Sequence, residues 1–236
     1  MKEIAQKNRF LPIFLFRSQP MKKYKHIIWD WNGTIVNDRW LSVEVLNGIL
    51  RDFNLPPQSE EEYRENFSFP VIDYYRKIGF EVSREKFEEI GRRFIKNFNA
   101  KRYDCKLNEG APELVQKIFQ KNVPQSVLSA YEKNFLNEAL EHFGLKKYMS
   151  KISGLSDINA NTKLELGIKH VASLNLAPEE IIIIGDTDHD YAVAAAANTQ
   201  CALVSTGHQS ASRLKKTSAK VFENFAGLED FLMQNL

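Results

Sequence analysis

His26-Ile27-Ile28-Trp29-Asp30-Trp31-Asn32-Gly33-Thr34 is the stretch on which the fold turns. A short apolar run reaches Trp29 and stops at an aspartate, with Asn32-Gly33 as a turn signal just beyond. A strand buried on both faces of a parallel sheet reads this way: apolar throughout, with polar residues delivered at its carboxyl end. Ile181 to Ile184 repeats the pattern, closed by Gly185-Asp186. Around these runs the chain alternates between helix and strand signals. Helices are expected at Ala111–Lys121, with Pro112 in the first turn, and at Lys133–His142 and Lys163–Leu174. An alanine-rich helix, Asp188–Ala197, is suited to close packing on a sheet, and Leu228–Leu236 ends the chain as a helix. Strands are expected at Val123–Leu128, ending in Ser129, and at Lys151–Gly154, Cys201–Val204 and Lys220–Phe222. Such alternation predicts an α/β fold with a doubly wound, Rossmann-like parallel sheet.

Between Arg39 and about Lys101 the rhythm changes. Apolar residues fall at helical spacing (Leu41, Val45, Leu46, Ile49; later Phe87, Ile90, Phe94, Phe98), and Pro56-Pro57, Phe69-Pro70 and Gly79 divide them into about four helices. The reading is an all-helical insert over residues 38–104, within a core made of 21–37 and 105–236. Residues 1–20 read as an N-terminal extension. Their apolar run, Phe10 to Phe16, is too short to span a bilayer and is broken by Pro12. No small-x-small cleavage site follows it, and Met21 is expected to open the natural domain.

Composition narrows the class further. The 32 basic and 30 acidic residues nearly cancel, which argues against nucleic acid or a membrane surface as partner. Two distant cysteines, Cys105 and Cys201, form neither a metal spacing nor a disulfide framework, so a cytoplasmic setting is expected.

In an open α/β sheet the carboxyl strand ends share one edge, where ligands bind. Asp30, Ser129 and Asp186 end three of the expected strands, and Asp190 lies one helical turn past Asp186. Carboxylates brought so close need a cation, and hard oxygen ligands suit Mg²⁺. Lys163, opening a helix, supplies a fixed positive charge. The Ser129 hydroxyl and the neighbouring backbone N–H groups, Ala130 among them, can hold phosphate oxygens. Together these parts suit phosphoryl transfer, where catalysis is mostly positioning and charge neutralisation.

The run Asp30-Trp31-Asn32-Gly33-Thr34, then Ser129, Lys163 and Gly185-Asp186-Thr187-Asp188-His189-Asp190, resembles the four ordered motifs of the haloacid dehalogenase-like hydrolases. The resemblance runs from about Lys25 to the C-terminus. The helical insert falls where that family carries a cap, and Phe67–Phe80 and Leu107–Leu114 resemble its phosphoglycolate phosphatase-like members. The resemblance implies a phosphatase of small phosphorylated metabolites, a monomer or dimer, with Asp30 as nucleophile. It implies Mg²⁺ held by Asp30, the Asn32 carbonyl and Asp186, assisted by Asp190. Ser129, Ala130, Gly33 and Thr34 would hold or shape the phosphate site, and Lys163 would neutralise nucleophile and phosphate.

One residue departs from the pattern. Family phosphatases carry a second aspartate two positions after the nucleophile, which protonates the leaving oxygen and activates water; here Asn32 stands there and can do neither. Two other readings therefore stay open: a weakly active or inactive member that binds a phosphorylated ligand or a protein, and a phosphonate-cleaving hydrolase using an insert lysine (Lys77, Lys86, Lys96 or Lys101) as a Schiff base. A metal-free dehalogenase would have no use for Asp186 and Asp190. His189 reads as a supporting or surface residue, His170 and His208 show no partner in sequence, and Trp31 is a candidate to face the site. Arg64 and Arg76 are candidate contacts for an anionic substrate tail, although exposed arginines are usually just solvated.

Overall fold

The computed structural model describes residues 24–156 and 162–236; the readings made for residues 1–20 and Met21 lie outside them. The chain begins with β1 (His26–Trp29) and a short strand β2 (Val36–Asn37). Four helices follow: α1 (Arg39–Asp52), α2 (Glu60–Asn66), α3 (Val71–Lys77) and α4 (Arg84–Lys101). Strand β3 (Lys106–Leu107) then pairs antiparallel with β2, so the helical segment leaves and returns through one two-stranded stem. Neither strand is visible in the sequence, because two residues carry no periodicity.

Next come α5 (Ala111–Gln120), β4 (Gln125–Glu132), α6 (Lys133–His142), β5 (Lys151–Leu155), α7 (Lys163–Ala172), β6 (Ile181–Gly185) and α8 (Asp188–Ala196). The chain closes with β7 (Gln200–Val204), α9 (Ala211–Leu214), β8 (Lys220–Phe222) and α10 (Phe225–Met233). The terminal helix starts three residues earlier than the sequence suggests, because the Asn224 side chain accepts the Gly227 N–H and caps it there.

Six strands form one sheet in the order β5-β4-β1-β6-β7-β8, and every pairing is parallel. From β1 the chain winds outward on one side, then returns to wind outward on the other. The carboxyl ends of β4, β1 and β6 consequently lie side by side. Alternation along each strand sorts residues onto two faces. Ile27, Trp29, Ile182 and Ile184 join one apolar cluster, which continues into Leu46, Tyr63, Tyr74, Ile90 and Phe98 of the helical segment. Ile28, Ile181 and Ile183 join the other, beneath α7 and α8. There a Cβ on Gly167 of α7 would strike Val193 of α8, so the glycine sets how closely these helices approach.

β4 extends past the expected Leu128. Its pairing with β5 runs Leu128 to Ser153 and then Glu132 to Leu155, which bulges the residues from Ser129 to Tyr131. A Cβ on Gly154 would press 2.7 Å from the Tyr131 carbonyl, so glycine in β5 makes room for the bulge. No helix among the described residues is long and apolar enough to cross a membrane.

Under the sheet runs a buried polar chain that corrects the reading of His170 as partnerless. His26 Nε2 meets Ser126 Oγ at 2.7 Å, Ser126 Oγ meets His170 Nε2 at 2.8 Å, and His170 Nδ1 meets Ser153 Oγ at 2.8 Å. Burial, reinforced by Lys151, lowers His26 to about 4 and His170 to about 3. Both imidazoles are thus neutral when folded but take up protons near pH 6.5 when unfolded. Their contribution is whole above about pH 7 and declines as pH falls from 6.5 toward those lowered values, by about 1.4 kcal/mol per unit for each ring. Urea denaturation of the wild type against a His26→Gln, His170→Gln double variant isolates this term from the site carboxylates. The stability gap between the two should narrow between pH 7 and pH 5; a constant gap would contradict the argument.

Candidate active site

Asp30 follows β1 with its N–H bonded to the Ile184 carbonyl at 2.8 Å, which ties the tip of β1 to β6. Asp186 follows β6, and Asp190 stands in the first turn of α8. All three carboxylates are buried, and one oxygen from each lies within 4.8 Å of the others. The Thr34 hydroxyl bridges two of them, 3.2 Å from Asp30 Oδ2 and 3.0 Å from Asp186 Oδ1. Lys163, the first residue of α7, pairs with Asp30 Oδ1 and sits 2.5 Å from Asp190 Oδ1.

Asp190 is fully engaged. Its Oδ2 accepts the Thr187 hydroxyl at 2.7 Å, the Thr187 N–H at 3.0 Å and the Asp186 N–H at 3.2 Å, while Oδ1 takes the lysine. Asp190 thereby aims Lys163 at Asp30. Asp186 accepts the His208 N–H at 2.6 Å. Burial pushes Asp30 up to about 8, with Asp190 and Asp186 adding to the rise and Lys163 opposing it. Burial likewise raises Asp186 to about 6. For Lys163, burial alone would favour loss of its proton, but Asp190 and Asp30 outweigh it and hold the ammonium above the ordinary lysine range. Three carboxylates against one lysine leave the cluster short of positive charge.

Those residues fit a hard divalent cation. The donors are oxygens, and the loops beside Asp186 approach it as bare backbone: a Cβ on Gly33, at φ +77°, or on Gly207 would overlap its carboxylate. A bound cation would oppose the rise that burial imposes on Asp30 and Asp186.

Ser129 and Ala130, on the bulge of β4, line the same cavity as Asp30, Lys163, Asp186 and Asp190. The Ser129 oxygen accepts the Tyr131 N–H at 3.1 Å, which leaves its own proton free to donate. Gly33 and Thr34 do not line this cavity. The Gly33 N–H is spent on the Val36 carbonyl and Asp38 Oδ1, and the Thr34 hydroxyl on the two carboxylates, so both shape the loop rather than face a phosphate.

The Asn32 side chain also lines the cavity and donates to Asp38 Oδ2 at 2.7 Å. Sequence reasoning missed Asp38, which stands where a helix cap is expected. Its carboxylate makes no cap bond to α1 and turns back to hold Asn32 and the Gly33 N–H. His208, expected to have no partner, lies 3.4 Å from Asp38 through Nε2 and 3.0 Å from the Tyr63 hydroxyl through Nδ1. Burial alone would lower this imidazole, but Asp38 beside it raises it to about 9. Asn108, just past β3, completes the loop by donating to the Gly33 and Thr34 carbonyls at 2.9 and 2.7 Å. No local signal marks these residues: His208 and Asn108 act across long stretches of chain, and Asp38, though only five and six residues from Gly33 and Asn32, sits at a helix start where an aspartate reads as a cap.

Other expectations are corrected by geometry. Trp31 points into the core against Phe143 instead of toward the site. Arg64 donates to the carbonyls of Ser205 and Gln209, and Arg76 pairs with Asp73 at the surface, so neither reaches the cavity. Lys77, Lys86, Lys96 and Lys101 are exposed and none lines it. His189 does line it, stacked on Phe69 from the helical segment at 4.6 Å.

The parallel sheet, wound both ways from β1, with an acidic, lysine-braced crevice at its carboxyl edge, defines a doubly wound α/β protein with a polar reaction floor. More narrowly, the chain belongs to the haloacid dehalogenase-like hydrolases, whose family model matches residues 27–204. It is 25% identical over 173 residues to Pyrophosphatase PpaX of Listeria welshimeri, covering 71% of this chain and 77% of that one. It is 23% identical over 215 residues to Tyrosine-protein kinase PtkA of Mycobacterium tuberculosis, covering 90% and 73%. Among solved structures, a predicted phosphatase from Clostridium acetobutylicum superposes with a TM-score of 0.78 at 21% identity, over 90% of this chain and 99% of that one.

Proposed function

We propose that this protein is a Mg²⁺-dependent phosphatase of small phosphorylated molecules, working through a phosphoryl group carried on Asp30. The observation that carries the reading is the convergence of Asp30, Lys163, Asp186 and Asp190 on one cavity with Ser129, beneath a roof formed by the helical segment, which we read as a cap. Asp30, Asp186 and the Asn32 carbonyl would hold the ion, with Asp190 behind them. When bound, Mg²⁺ supplies the positive charge that lets an anionic phosphate approach buried carboxylates.

The chain's own groups do the rest. A carboxylate oxygen of Asp30 attacks phosphorus as the bond to the leaving oxygen breaks, giving an acyl phosphate. Lys163 offsets the negative charge gathered on nucleophile and phosphoryl oxygens, and the Ser129 hydroxyl and Ala130 N–H hold those oxygens in place. Water then attacks the same phosphorus, which frees phosphate and restores Asp30. Asn32 provides no proton for the departing oxygen, so substrates with good leaving groups, such as acyl phosphates and aryl phosphates, are favoured.

The contrary reading, a phospho-ligand binder, draws its support from Asn32. Both readings meet one experiment. Phosphate release from acetyl phosphate and p-nitrophenyl phosphate should require Mg²⁺ and vanish with chelator. Beryllofluoride, a mimic of the phosphorylated aspartate, should raise the wild-type melting temperature by about 5 °C or more and leave Asp30→Asn unmoved. A shift without turnover would favour the binder, and neither shift nor turnover would sink the proposal.

A further inference from the structure

Above its acidic floor the cavity is apolar. Phe67, Phe69 and Tyr74 form one wall; Phe87, Phe94 and Phe98 of α4 form another. Titratable groups face it from the floor and its rim: the carboxylates and Lys163 already described, Asp38, and the imidazoles of His189 and His208. Lys163 is shared between Asp30 and Asp190, and His208 is paired with Asp38. The helical segment contributes no arginine or lysine to the lining, and its two candidate arginines are spent elsewhere. A second anionic group on the substrate would therefore enter an apolar chamber that offers no unpaired cation among the described residues. The floor takes one phosphoryl group; the chamber takes whatever that group is attached to.

The size of that attachment is also legible. The cavity encloses about 330 Å³, roughly twice an apolar cavity of about 150 Å³ that takes up benzene. Room for it is kept by Gly91. On α4 the residues Phe87, Gly91, Phe94, Ile95 and Phe98 share one face at helical spacing, and all line the cavity. Gly91 interrupts this row in mid-helix, where glycine weakens a helix relative to alanine. A Cβ there would meet nothing within 4 Å. The missing side chain leaves open space between aromatic rings.

Resting on the phosphatase reading above, we infer that the substrate class is the monophosphate of a bulky apolar phenol, bound with its leaving group among the aromatics of the helical segment and around Gly91. Phosphates with a carboxylate or second phosphate on the leaving group are rejected. Recognition here is burial of apolar surface, in contrast to ion pairing with an anionic tail.

The test uses the full-length protein with Mg²⁺ and a series of aryl phosphates whose leaving groups have similar acidity: phenyl, 1-naphthyl and 4-carboxyphenyl phosphate, with acetyl phosphate as a small activated donor. The expected order of kcat/KM is naphthyl above phenyl above carboxyphenyl, each step roughly tenfold. In Gly91→Leu the naphthyl-to-phenyl ratio should fall about tenfold, with the melting temperature reporting that the variant is folded. Carboxyphenyl phosphate turned over as well as phenyl phosphate, no preference for naphthyl, or turnover of acetyl phosphate alone would overturn the inference and leave the phosphatase reading standing. No Mg²⁺-dependent release from any of the four would overturn that reading, and this inference with it.

Discussion

Asp30→Asn should release no measurable phosphate from any substrate the wild type hydrolyses, a loss on the order of 10⁴-fold or more in kcat. The amide is isosteric but cannot form the acyl phosphate, so no slower version of the same route survives. Stability should move the other way. In the metal-free wild type, Asp30 is one of three buried carboxylates sharing one lysine, and burial raises it to about 8. A carboxyl so raised contributes stability that is complete below its unfolded value of 3.8 and is lost as pH rises through about 8. Above pH 8 the metal-free variant should thus be the more stable protein, because it no longer buries that charge. Melting temperatures of both proteins in chelator, from pH 5 to pH 9, check the sign. A variant that is inactive and also less stable at pH 9 would mean that Asp30 holds the fold together, and would undo the account of the floor.

Asn32→Asp carries the second large effect. It restores a group able to protonate a leaving oxygen, help typically worth 10²–10⁴-fold, so hydrolysis of alkyl phosphates should rise by about 10²-fold or more. For acetyl phosphate, whose leaving group needs no proton, kcat/KM, which reports formation of the acyl phosphate, should change little. The surroundings add a condition that sequence alone does not contain. Asn32 donates to Asp38 Oδ2 at 2.7 Å, and a carboxylate in its place would lie against another carboxylate. Two such groups share a proton, with one pKa raised, so the gain should disappear at high pH as that proton leaves. In the double variant Asn32→Asp, Asp38→Asn the amide and the acid trade places, and the gain should follow the titration of an unshared carboxyl, at lower pH. Pre-steady-state and pH–rate measurements on an alkyl phosphate decide it. An unchanged rate in both variants would show that proton transfer does not limit turnover.

The parts of this site that were legible in the sequence share a cause. Asp30, Ser129 and Asp186 follow runs such as His26–Trp29 and Ile181–Ile184, and parallel-sheet topology alone brings such residues to one edge. Lys163 and Asp190 open helices just beyond, where their side chains reach that edge. What escaped is what depends on side-chain direction. Asp38 looks like a cap and acts as a brace, Trp31 turns away from the crevice, and Thr34 bridges two carboxylates as well as forming a turn. His208 gains its role only after the chain returns from β7 to meet Asp38 and Tyr63. The bulge that carries Ser129 needed the β4–β5 register, which no single strand encodes.

The central place of β1 has a bearing on synthesis. It leaves the ribosome before both of its partners, because β4 and β6 begin only at Gln125 and Ile181. Until both arrive, Ile27, Ile28 and Trp29 have unpaired backbone on at least one side, and pairing over such sequence distances is slow and open to aggregation. Truncation before Ile181 should therefore yield an insoluble fragment, and the nascent chain should be a strong client for holdase chaperones until Ile181–Gly185 has emerged.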